Sequence, residues 1–91
     1  MILISYDIHD DILRSRFSKY IKKYGHRIQY SVYEITNSKR LLSIIIHDIS
    51  SKYECMFGQS DSVIIIETGE SSKITRWGYE RNVESDIIVI D

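Results

Sequence analysis

MILISYDIHDD, residues 1–11, decides how the rest of the chain is read. Ile2, Leu3 and Ile4 form the short apolar run that a central strand needs. The run is continuous rather than alternating, as expected where both faces of a sheet are covered or one faces a second subunit. Tyr6 and Asp7 close the strand, and His9, Asp10 and Asp11 follow at once. A carboxylate at the end of a buried strand is held in position by the sheet, which is what a reactive or metal-holding group requires. Asp7 is therefore the candidate functional centre.

Working outward, residues 10–24 have helical spacing. Asp10 or Asp11 caps the helix and suits the positive end of its dipole. Leu13, Phe17, Tyr20, Ile21 and Tyr24 make one apolar stripe. Arg16, Lys19 and Lys23 share a different face with Lys22 beyond them, and Arg14 lies on the opposite flank of the stripe. Gly25 follows as a left-handed stop. In residues 26–36, HRIQYSVYEIT, Ile28, Tyr30 and Val32 alternate with Arg27, Gln29 and Ser31. The segment is long for one strand, so a break near Ser31 divides it into two. Residues 38–56 predict a second helix capped by Asn37 or Ser38. Leu42, Ile45, Ile46, Ile49, Tyr53 and Met56 fall on one side of it, and Ile44 falls off that side toward a partner.

A turn over residues 57–61 leads to a strand over 62–67. A hairpin loop over 68–72 leads to a strand over 73–79, and IIVI at 87–90 is a last apolar strand. The order is α+β: β-α-β-β-α-β with additional C-terminal strand, the split βαβ or ferredoxin-like plan, with the first strand central. A strand as apolar as IIVI is a poor open edge. Residues 80–91 are therefore expected to dock on the sheet of the partner in a homodimer.

The totals bound the answer. Ninety-one residues make a single domain, 1–91. So short a chain buries a modest share of its surface, which makes oligomerisation a natural remedy. The single cysteine, Cys55, excludes an intramolecular disulfide. With no His/Cys cluster it makes no zinc site, and it is expected to be a small buried hydrophobe. The N-terminal apolar run is too short for a signal sequence and lacks a basic leader. No stretch approaches the roughly 18 apolar residues of a membrane span, so a cytoplasmic location is expected. The net charge of −1 argues against a general nucleic-acid binder, but its distribution is uneven. Residues 1–40 hold eight Lys/Arg against four acids, +4, and residues 41–91 hold four against nine, −5. A basic half and an acidic half suit a polyanion on one face and a basic partner on another, or are simply solvated charges.

Several side chains could carry chemistry. Asp7 is a hard oxygen ligand suited to Mg²⁺, which needs only one or two protein carboxylates. A water held by such an ion deprotonates more easily and can attack phosphorus. In a two-fold dimer the two Asp7 side chains could share one Mg²⁺; otherwise the acid is a neighbour of a helix cap. Tyr6, on the opposite pleat, could stack on a base or fill the core. Arg14, Arg16 and Arg27 could grip phosphate oxygens in bidentate fashion. Ser31 could orient a phosphate or water, or satisfy a strand bend. Tyr33 is core-facing or touches a base. His9 and His26 titrate near neutrality and could shuttle protons, or are polar surface. Trp77, beside Gly78, reads as an interface anchor. No Gly-rich phosphate loop, HExxH or EF-hand pattern is present. The RNP signature of RNA-recognition domains is missing too.

Tyr6-Asp7-Ile8, Leu13-Arg14-Ser15-Arg16, Tyr24-Gly25 and above all Arg27-Ile28-Gln29-Tyr30-Ser31-Val32-Tyr33 resemble the CRISPR-associated protein 2 family. That family supplies the smaller of the two universal CRISPR adaptation proteins. The resemblance is dense in residues 2–35 and thin beyond. It implies a ferredoxin-like homodimer whose C-terminal strand adds to the other subunit's sheet. It further implies a bridge between dimers of the adaptation integrase, holding duplex spacer-precursor DNA on a basic surface during spacer acquisition. Members are also assigned metal-dependent endonuclease activity on single-stranded RNA or double-stranded DNA. On that resemblance Asp7 is the metal ligand and, with Tyr6, catalytic, while Arg14, Arg16, Arg27 and Tyr33 match positions tied to activity. Phe is commoner at the last of these, and a buried tyrosine hydroxyl there needs a partner. Lys19, Lys23 and Ser31 complete the expected nucleic-acid-binding set. Two alternatives share the fold: a stand-alone RNase toxin, and a non-catalytic regulatory or ligand-binding domain.

Overall fold

A computed structural model describes residues 1–69 and 71–78. The strand expected at 87–90 and the docking expected of 80–91 lie outside the described residues. The elements run β1 (Ile2–Asp7), α1 (Asp11–Lys22), β2 (Gly25–Gln29), β3 (Val32–Ile35), α2 (Lys39–Asp48), β4 (Ser62–Glu67) and β5 (Lys73–Gly78). The five strands form one sheet in the order β2-β3-β1-β4-β5, with every neighbouring pair antiparallel. The first four strands reproduce the expected ferredoxin-like arrangement, and β1 is central as anticipated. β5 extends the sheet beyond β4.

Alternation along β1 explains its continuous apolar run. Ile2, Ile4 and Tyr6 are buried in the cluster that also holds Leu13, Phe17 and Ile21 of α1 and Leu42 and Ile45 of α2. In register with them across β4, Ile65 faces Ile4 and Val63 faces Tyr6. Ile4, Phe17, Ile21, Ile45, Val63 and Ile65 are wholly shielded. Burying each such side chain stabilises the fold by roughly 1.5–3 kcal/mol. By the same alternation Leu3, Ser5 and Asp7 lie on the sheet face opposite the helices. Leu3, Val32, Ile64, Ile66 and Ile74, which share that face, are half-buried.

α1 starts as read: Asp10 is its cap, accepting the Leu13 N–H at 2.8 Å. It ends earlier than expected, because the N–H groups of Lys23 and Tyr24 bond back to the Tyr20 and Ile21 carbonyls and tighten the last turn. Gly25 is not a left-handed stop. It is the first residue of β2, and an added Cβ would lie 2.1 Å from the Glu34 carbonyl oxygen, so its role is close strand approach. The break near Ser31 is a turn at Tyr30–Ser31 between β2 and β3.

The second helix is regular only to Asp48. It passes through a π turn, Ile49–Tyr53, and a 3₁₀ turn, Glu54–Met56. The wider turn rotates the residues after it about the helix axis. Ile49 stays in the core, but Met56 is 45% exposed rather than core-facing, and Cys55 is exposed rather than buried. Trp77 is a core residue and not an interface anchor: its indole is buried and donates to Ser50 Oγ at 3.0 Å. Among the described residues, no helix is long and apolar enough to cross a membrane.

Candidate functional site

The β1–α1 junction carries the first part of the site. Asp7, the last residue of β1, projects a side chain that is 63% exposed. Two residues on, His9 is held by an acid from a distant part of the chain. Asp61 Oδ1 accepts the His9 backbone N–H at 2.9 Å and lies 3.1 Å from His9 Nδ1, and its Oδ2 accepts the Gly58 N–H at 2.8 Å. Burial alone would raise the Asp61 pKa, but the Gly58 and His9 donors outweigh it and hold the carboxyl below its ordinary value. The other ring nitrogen, Nε2, lies 3.8 Å from Asp7 Oδ1, too far for a hydrogen bond. Asp61, His9 and Asp7 therefore form a file from the interior to the surface.

Arg14 clasps the same loop from the helix. Its Nη1 donates to the carbonyls of Ile8 and His9 at 3.1 and 3.3 Å, and its Nη2 donates to Asp11. The loop that follows Asp7 is thus fixed from both sides, by Arg14 on its carbonyls and Asp61 on its N–H.

The second part is a groove of about 270 Å³ between α1 and β2. Arg14, Ser15, Ser18, Lys19 and Lys22 of α1 line one wall, with Asp11 at its start, and Tyr6, Arg27 and Tyr30 line the other. Four cations against one acid make it an anion-binding surface. A depression of about 280 Å³ adjoins it, lined by Asp7, Ile8, His9, Arg14, Tyr30 and Ser31. Arg14 and Tyr30 are walls of both, so the cations and the Asp7 carboxylate belong to one continuous surface.

Buried aromatics set the aim of Arg27. Tyr33 is wholly buried and its ring stacks on Tyr6 at 6.1 Å. Arg27 Nε and Nη2 donate to the Tyr33 hydroxyl at 3.2 and 3.1 Å, leaving the phenol's own hydrogen for Ser18 Oγ at 2.7 Å. Here is the partner that a hydroxyl at this position needs. Burial pushes the Tyr33 pKa up, but the Ser18 and Arg27 hydrogen bonds prevail and lower it. Tyr6 shifts the other way, raised chiefly by burial.

The structure gathers most of the residues singled out from sequence. Asp7, Arg14 and Ser31 meet in the depression, and Tyr6, Arg14, Lys19 and Arg27 in the groove. Arg16 lines a separate hollow with His9, Asp10, Ile12 and Asp61. The Lys23 ammonium lies over the Tyr20 ring at 6.0 Å, outside the groove. His26 stands at the sheet edge, 3.8 Å from Glu34. Sequence reasoning misses three members. Helical spacing puts Lys22 beyond the cationic face, alternation makes Tyr30 only part of a strand, and Asp61 reads as part of a turn. Asp61 has no local signal, since its partner is 52 residues away.

The donor set fits Mg²⁺ only as a sparse site. Asp7 offers one exposed hard carboxylate, enough for an ion that keeps most of its waters and takes further oxygens from a phosphate. No group of three or more His, Cys, Asp or Glu suited to a metal occurs among the described residues.

Comparison with known proteins agrees with these positions. Residues 1–75 match the family model described as CRISPR associated protein Cas2. A protein of Thermus thermophilus named CRISPR-associated endoribonuclease Cas2 is 26% identical, over 96% of this chain and 95% of its own. A Synechocystis protein, CRISPR-associated endoribonuclease Cas2 3, is 46% identical over 43% of this chain and 42% of its own. Another, from Rhodospirillum rubrum, CRISPR-associated endoribonuclease Cas2 4, is 37% identical over 54% and 40%. The match thus spans less than half the length of the last two relatives.

Proposed function

The chain belongs to the CRISPR associated protein Cas2 family, and from that premise we propose that it is a CRISPR adaptation subunit. It acts as a homodimer, bridges the adaptation integrase and binds duplex spacer-precursor DNA along the cationic side of α1. Asp7 serves Mg²⁺-dependent phosphodiester hydrolysis, on duplex DNA or single-stranded RNA. The observation that carries this reading is the continuity of the cationic groove with the depression that holds Asp7.

The residues divide the work. Lys19, Lys22 and Arg27 face phosphates, and neutralising them releases counterions. Arg14, fixed on the Ile8 and His9 carbonyls, keeps the loop after Asp7 in one conformation. Tyr33 holds the Arg27 guanidinium from below. Asp7 would hold the ion, which supplies an acidified water and neutralises charge on the phosphate.

Dimerisation is supported by the sheet face opposite the helices. Leu3, Val32, Ile64, Ile66 and Ile74 lie there, and Asp7 ends the same row as Leu3. Two such faces packed about a two-fold axis would bring the two Asp7 carboxylates toward a common cleft, where one Mg²⁺ can be shared.

Spacer acquisition with purified integrase, compared between wild type and Asp7→Ala, tests the reading. Loss of metal-dependent cleavage with acquisition retained assigns Asp7 to hydrolysis and leaves the scaffold role. Cleavage that survives the substitution would falsify the catalytic assignment. Duplex binding without salt dependence would remove the cationic groove from the account.

A further inference from the structure

Two tyrosines are natural candidates for base stacking from sequence, Tyr6 and Tyr33. Both rings are packed into the core, 6% and 0% exposed. Tyr30 is 74% exposed, at the tip of the β2–β3 hairpin. It reaches the groove because of a backbone irregularity. The β2–β3 register shifts between Arg27 and Gln29: Arg27 opposes Tyr33, but Gln29 opposes Val32. Ile28 is the extra residue of a bulge, and a bulge re-aims the side chains beyond it. In an unbroken strand Arg27 and Tyr30, three apart, would point to opposite faces. With the bulge they share one, and the Arg27 guanidinium lies 6.0 Å from the Tyr30 ring. Tyr30 also lines the depression that holds Asp7 and Ser31.

We propose that Tyr30 is the stacking platform for one unpaired base, and that it makes the surface beside Asp7 select single-stranded over paired nucleic acid. The inference rests on the reading above that the groove takes nucleic-acid phosphates. With Arg27 and Lys19 holding the backbone, a nucleotide crossing from groove to depression passes the tyrosine ring. Every base has a π face, so the platform is indifferent to sequence. Inside a duplex both faces of a base are already covered, so the ring adds affinity only for an unpaired nucleotide or a frayed end.

The test is equilibrium binding in EDTA, which keeps hydrolysis out of the readout. The probes are a short oligothymidine strand, the same strand built of abasic residues, and a mixed-sequence duplex. Tyr30→Ala should weaken oligothymidine binding by about 5- to 150-fold, the range of a base–aromatic stack. It should leave the abasic strand and the duplex unchanged, and Tyr30→Phe should bind all three as wild type does. An equal loss on the abasic strand or the duplex, or no loss on oligothymidine, overturns the inference. Wild type that ignores all three probes at low salt overturns the groove's role itself, whereas normal duplex binding with a Tyr30-insensitive single strand overturns the platform alone.

Discussion

Asp61 accepts the backbone N–H of His9 at 2.9 Å and thereby ties the loop before β4 to the loop after β1. The carboxylate is 4% exposed, and the Gly58 N–H on its other oxygen gives it a second backbone donor. It is the anchor from which His9 reaches toward Asp7.

Asp61→Ala leaves both N–H donors without their acceptor. A buried donor left unsatisfied costs about 1–3 kcal/mol, so the variant should lose about 2 kcal/mol or more in denaturant melts. Asp61→Asn keeps an acceptor and should lose less. The sign of the pH dependence comes from the depressed carboxyl pKa of the folded state. A depressed acid contributes stability that is present above its unfolded pKa, about 3.9. That contribution disappears as pH falls through the lower folded value. Wild type should therefore lose stability on acidification below about pH 4 more steeply than Asp61→Asn. Identical acid slopes would contradict the role assigned to the carboxylate.

Gly78 stands against the same loop. Its φ is +109°, and a Cβ there would lie 2.2 Å from the Asp61 carbonyl oxygen. The obstacle is backbone, so no rotamer change relieves it. Gly78→Ala should cost more than about 2 kcal/mol from conformation and overlap together, seen as a lowered Tm. A neutral result would mean that β5 can shift away from β4 without loss.

Tyr33 links the core to the groove. Tyr33→Phe keeps the ring that stacks on Tyr6 but removes the acceptor of two Arg27 donors and the donor to Ser18. The expected stability loss is about 0.5–1.5 kcal/mol, the net worth of a hydrogen bond. Nucleic-acid binding should weaken, but by less than in Arg27→Ala, because the charge remains and only its aim is relaxed. A Phe variant that binds as poorly as Arg27→Ala would place the hydroxyl itself on the ligand.

The strand order is legible in the sequence because each strand carries its own pattern. Ile2–Asp7 and Ser62–Glu67 are bounded apolar runs, and a break at Ser31 is implied by length alone. The cap at Asp10 is legible for the same local reason. The end of the second helix is not, since a π turn leaves no mark in the periodicity of Ile45, Ile49 and Tyr53. Asp7 and Arg14 can be singled out by their places next to the first strand and helix. Asp61 cannot, because its meaning lies in His9, brought near only by the pairing of β1 with β4. The bulge at Ile28 likewise hides Tyr30, whose strict alternation in the sequence assigns it to the wrong face.

The cationic residues of α1 show the same limit and yield a sharp test. The apolar stripe leaves two flanks, and the sequence does not say which one meets β2. In the structure Arg14, Lys19 and Lys22 are on the β2 side, lining the groove with Arg27. At 3.6 residues per turn, Arg16 and Lys23 lie about 100° or more around the helix from Lys22. Arg16 opens instead onto the hollow beside Asp61, and Lys23 lies over Tyr20. Each cation that touches a phosphate adds about one to the slope of log affinity against log salt. Lys19→Ala with Lys22→Ala should therefore flatten the duplex-binding slope by about 2, while Arg16→Ala with Lys23→Ala should leave it within about 0.5 of wild type. Both pairs remove two positive charges, so a general field effect would flatten the two slopes equally. That outcome would move the nucleic acid from the groove to the helix as a whole.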